Sequence, residues 1–80
     1  MINANLLKGK MASKGYTQES LAHKLEISKN TLNAKINGKS RFALDEVLKI
    51  CDLLAIESAD EMCEIFLPTI SQYWDEMRRR

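Results

Sequence analysis

TQESLAHKLEISKNTLNAKINGKS, residues 17–40, decides how this chain is read. Thr17 is of the type that caps a helix start, and Tyr16 and Leu21 are placed to staple that end. Leu21, Ala22 and Leu25 then recur at helical spacing, which predicts a short amphipathic helix over residues 18–25. Ser28 is a second cap, with Ile27 and Leu32 as its staple, and the helix it opens ends near Asn37-Gly38, where glycine permits the turn out. Only about three residues separate the two helices, so they must cross steeply rather than fold back as a hairpin.

The second of these helices has two unlike sides. At 100° per residue with Lys29 at 0°, Asn33 falls near 40°, Asn37 near 80°, Asn30 near 100° and Ala34 near 140°, against about 300° and 340° for Leu32 and Ile36. The leucine and isoleucine anchor it. The other side presents one lysine, three asparagines and a small alanine, although asparagine is a modest helix former. These side chains suit base edges: Asn pairs with adenine N6 and N7, Lys donates to guanine O6 and N7, and a small residue meets a thymine methyl. A merely solvated face is the alternative. It must also account for the steep turn and for Lys35, Lys39 and Arg41 gathered beside the helix end.

Outward from this pair, the whole chain reads as α-helical. A first helix fits about Asn3 to Lys14, with Leu6, Leu7 and Met11 inward, Gly9 weakening it and Gly15 ending it. Leu44, Val47, Leu48, Cys51 and Leu54 give a fourth helix core spacing, although Ala43 offers no capping side chain. Ser58-Ala-Asp-Glu61 reads as a capping box opening a fifth helix to about Phe66. Pro68 interrupts it, and Thr69 to Arg80 form a last helical segment with Ile70, Tyr73, Trp74 and Met77 along one side.

Eighty residues, 45% of them hydrophobic, suit one small folded domain. Cys51 and Cys63 are the only cysteines, with eleven residues between them, apolar neighbours and no clustered histidine. They read as buried, reduced thiols in a cytoplasmic protein, not as a zinc site or disulfide framework. No apolar run approaches the roughly twenty residues of a membrane span, and no leader is visible at the start. His23 lies off the apolar stripe of its helix and reads as a surface residue. No nucleophile–base constellation or phosphate-cradling glycine loop is present, so neither an enzyme, a metal nor a cofactor is expected. The net charge of +1 hides an asymmetry. Residues 1–50 hold nine Lys/Arg against four Asp/Glu, and residues 51–80 hold three Arg against seven Asp/Glu, giving +5 and −4. Such a chain has two faces for different partners.

The pattern Gln18, Leu21-Ala22, Leu25, Ser28, Thr31-Leu32, Ile36 and Asn37-Gly38 resembles the helix-turn-helix domain of lambda-repressor and Cro type, common among phage and bacterial regulators. The likeness covers about residues 5–56, including LDEVLKICDLL after the motif, and the KGYTQE opening is similar to small phage-type regulators. It implies a compact five-helix all-α bundle. Residues 1–57 form the DNA-binding core, and residues 58–80 form a C-terminal helical extension of the same domain. It also implies base contacts from Lys29, Asn30, Asn33 and Ala34, and a phosphate contact from Gln18, which braces the reading helix. Backbone contacts follow from Thr17, Asn37, Lys39 and Arg41, with Lys35 of the basic cluster alongside. Glu26 and Ala55 stand where relatives usually have glycine, so each must take a left-handed or similarly tight conformation at some cost.

The expected function is sequence-specific binding of double-stranded DNA as a repressor of phage or mobile-element type. A different class of reading is an antitoxin-like interaction module whose acidic C-terminal half takes a protein partner. RNA binding is disfavoured by the lack of stacking aromatics near the basic face. The stripe Ile70, Tyr73, Trp74 and Met77 fits two roles, closing the core or joining two copies into a homodimer. One small motif reads few base pairs, which favours a dimer on DNA.

Overall fold

The computed structural model describes residues 2–79 of the chain, and Arg80, placed in the last helix by the sequence, lies outside them. Five helices follow in order: α1 Ala4–Ser13, α2 Gln18–Leu25, α3 Lys29–Ile36, α4 Leu44–Leu53 and α5 Ala59–Arg78. The described residues contain no strand.

Local chemistry sets most of these boundaries. The side chains of Asn3, Thr17, Ser28 and Ser58 each accept the backbone N–H three residues on, satisfying donors that a helix start leaves open. The Ser20 hydroxyl also accepts from the Thr17 N–H at 2.9 Å, completing a reciprocal cap on α2. The reciprocal half expected at Ser58 is not made. The Glu61 carboxylate turns to the Lys10 ammonium instead, at 3.0 Å, tying α5 to α1. Gly15 ends α1 at φ 78°, while Glu26 (φ 60°) and Ala55 (φ 55°) hold left-handed turns without being glycine. Each such residue costs on the order of 1 kcal/mol. The turn is held because Ile27 and Ile56, immediately after them, pack into or against the core.

That core gathers Leu7, Met11, Leu21, Leu32, Ile36, Val47, Ile50, Leu54, Ile65 and Phe66 from all five helices. Phe42, on the loop between α3 and α4, is buried against Phe66 edge to face, with centroids 5.7 Å apart. In consequence α2 lies on α3, while α4 and α1 both lie on α5.

Three expectations are corrected. Leu44 and Leu48 are 42% and 56% exposed, so the inward face of α4 is Val47, Ile50, Cys51 and Leu54. The stripe assumed from spacing was rotated toward its outer edge. Cys63 is only half-buried, unlike Cys51. Finally, α5 runs unbroken through Pro68. The proline removes one ladder bond and costs about 3 kcal/mol. Ile65, Phe66 and Thr69 are buried, and Ile70 packs on the core, so apolar contacts on both sides of Pro68 hold one axis. The Ile65 carbonyl, three residues before Pro68, accepts the Asn3 N–H from outside the helix at 2.9 Å. The last segment expected from Thr69 is therefore the second half of one helix, and beyond Ile70 that half is exposed except at Tyr73.

Candidate nucleic-acid interface

Helix α3 packs into the core through its apolar side. Leu32 and Ile36 are fully buried, and α2 backs the helix through Leu21, Ala22 and Leu25. Around the rest of the cylinder, Lys29, Asn30, Asn33 and Asn37 are exposed and Ala34 is half-buried. The four residues expected at base edges thus share one surface with no apolar cover. Gln18 opens α2 half-buried, and Thr17 is exposed while its hydroxyl caps that helix. Both sit at the positive end of a helix, where N–H groups suit an anion.

The end of α3 and the loop 37–43 carry the remaining expected residues, and here the structure adds what spacing could not. Lys39 is exposed. Lys35 turns inward: its side chain is 13% exposed, and its ammonium pairs with Glu46 of α4. It also lies 6.0 Å from the centre of the Phe42 ring. The Lys35 ammonium, expected beside the backbone contacts, thus faces a carboxylate of its own chain. Glu46 accepts the Ala43 N–H as well, at 2.7 Å, which supplies the cap that alanine lacks. One carboxylate therefore fastens the end of α3, the loop and the start of α4 together.

Arg41 is engaged differently. Its guanidinium pairs with Glu76 at 2.9 Å and stacks 4.5 Å from the Tyr73 ring centre, both on α5. The hydrogen bond to Glu76 is the largest influence raising its pKa, so it is cationic at any working pH. It remains exposed, and the pair is of the open kind that a phosphate can compete with. Tyr73 in turn donates its hydroxyl to the Phe42 carbonyl at 2.8 Å. The loop is thus fixed by Glu46 on one side and by Tyr73 and Glu76 on the other. None of these three was expected at the site from sequence. A signal existed for Glu46 alone, as the acidic third residue of a helix with a capless start.

The stripe on α5 divides. Ile70 and Tyr73 are half-buried, Ile70 against the core and Tyr73 beneath the loop, whereas Trp74 and Met77 are 57% and 54% exposed. His23 is exposed on α2, and no group of three metal-ligating side chains occurs among the described residues. None of the described helices is long and apolar enough to cross a membrane.

Two short helices crossing over a three-residue turn, with the second presenting a polar face over a packed apolar one, form a helix-turn-helix. A comparison with protein families matches residues 6–62 to the Cro/C1-type HTH DNA-binding domain. The chain belongs to this family. The match takes in most of α1, all of α2 to α4 and the first turn of α5. No curated protein and no solved structure matches the chain. Membership makes this a DNA-binding domain whose family is non-enzymatic.

Proposed function

We propose that the protein is a transcriptional repressor of phage or mobile-element type, reading a specific double-stranded site with the outer face of α3. Lys29, Asn30, Asn33 and Ala34 meet base edges, while Thr17, Gln18, Asn37, Lys39 and Arg41 meet phosphates. The observation that carries this reading is the uncovered Lys/Asn face on a helix whose opposite side is fully buried. The protein works as a homodimer in the cytoplasm, two copies presenting α3 to half-sites about 34 Å apart. Exposed Trp74 and Met77 support a contact between copies. The same residues, within the acidic part of the chain, support the second reading, an antitoxin-like protein that takes a partner through its C-terminal half.

The test is selection of bound sequences from random duplex DNA, followed by titration of the winner against salt. A specific site with two related halves is expected, with log K falling against log salt at a slope near −0.9 per phosphate contact, for roughly four to eight contacts in a dimer. Affinity that does not respond to salt removes DNA as the main partner. Enrichment without any sequence preference removes the reading role of α3.

A further inference from the structure

Five residues of α5 recur at steps of four, three, four and three: Cys63, Leu67, Ile70, Trp74 and Met77. This is the seam spacing of paired helices. The structure leaves it uncovered, with Leu67, Trp74 and Met77 51%, 57% and 54% exposed and Cys63 and Ile70 half-buried. It is a different surface from the stripe that spacing alone suggested. Tyr73 leaves it to hold Phe42, and Leu67 and Cys63 join it.

The flanks of the seam are unlike each other. Phe66 and Tyr73 border it on the side facing the core, and the free side carries Glu64, Ser71 and Arg78, seven residues apart and all exposed. An acid and a base at the two ends of one free flank select an orientation. When two such helices pack antiparallel about a two-fold axis, each end meets the opposite end of its copy, so Glu64 comes alongside Arg78 of the second copy, twice. The same register sets Ile70 against Trp74 and Leu67 against Met77, which keeps the two tryptophans apart, with Ser71 beside itself at the axis. A parallel pair would put Trp74 on Trp74 and Cys63 on Cys63, and would leave both charged positions without an opposite.

We infer that the occupant of this seam is a second copy of the chain, its α5 antiparallel, with reciprocal Glu64–Arg78 pairs closing the rim. The inference rests on the homodimer reading above and adds its geometry: the partner, its direction and its register.

Sedimentation equilibrium of the full chain without DNA tests it. Glu64→Arg and Arg78→Glu each turn two attractions per dimer into repulsions at exposed sites and should weaken the dimer about tenfold. The double reversal should return it to within about threefold of the parent, since the pairs re-form with exchanged signs. Under mild oxidation Ser71→Cys should link two chains through position 71, while Cys63 of the parent should not link to its copy. A double variant as weak as the singles, a Cys63–Cys63 link in the parent, or a parent that stays monomeric at high concentration overturns the inference. Binding of a single half-site, measured on the same proteins, reports separately on DNA reading.

Discussion

Glu46→Ala should destabilise the protein far more than loss of an ordinary surface carboxylate. The side chain is only 13% exposed, accepts the Ala43 N–H at 2.7 Å and holds the Lys35 ammonium, which is equally shielded. Truncation leaves an open donor at the start of α4 and an ammonium without its counter-charge. A charged hydrogen bond contributes about 1.5–3 kcal/mol, and breaking a fully buried pair costs about 3–5 kcal/mol. Residual exposure lets water reach Lys35, so the expected loss is about 2–4 kcal/mol. In a domain of this size each kcal/mol moves Tm by about 4–8 °C, which places the fall at roughly 8–32 °C by circular dichroism. Glu46→Gln keeps an acceptor for Ala43 and should lose about half as much. Operator affinity should fall in Glu46→Ala even below its new Tm, because the loop bearing Lys39 and Arg41 loses its tether to α4. A melt of Glu46→Ala within about 0.5 kcal/mol of the parent, the ordinary range for a surface substitution, would refute this account of Glu46.

Asn30→Ala should relax discrimination at one or two base pairs and cost about 1–3 kcal/mol in specific binding, whereas Lys39→Ala should weaken all duplexes alike and by less. Competition assays with specific and random DNA separate the two effects. Gly9 is in α1, where an added Cβ meets nothing within 4 Å, so Gly9→Ala should raise stability by about 0.5–1 kcal/mol in denaturant titration. Burial pushes the Cys51 thiol pKa up, and nearby Glu61 adds to the shift. At neutral pH an alkylating agent should therefore label half-buried Cys63 first, followed by mass spectrometry, with Cys51 protected until the chain unfolds. The anion is disfavoured in the fold, so the unfolded chain loses this proton first. The Cys51 contribution is intact below the ordinary thiol pKa and is lost as pH rises from there toward the higher folded value.

Three helix caps and the turn between α2 and α3 were legible in the residue string, because a cap or a tight turn acts within one turn of chain. Thr17, Ser28 and Ser58 cap whatever lies further off, as does Asn3, which the sequence pattern places inside the first helix. The outer face of α3 was legible for a related reason: Leu32 and Ile36 declare the inner side, and the opposite side follows from helical geometry. Charge partners were not legible. Lys35 and Lys39 look alike along the chain, yet Glu46 reaches only the first, because folding over Phe42 brings α4 beneath the end of α3. Arg41 meets Glu76 across thirty-five positions. Leu44 and Leu48 have the spacing of core residues and still face outward, since period marks a stripe but not its centre. Pro68 reads as a break, and packing on both sides of it outweighs the lost bond. In each case the outcome rests on which distant surface arrives opposite the residue. Burial and ion pairing depend on separation in space, and separation along the chain does not supply it.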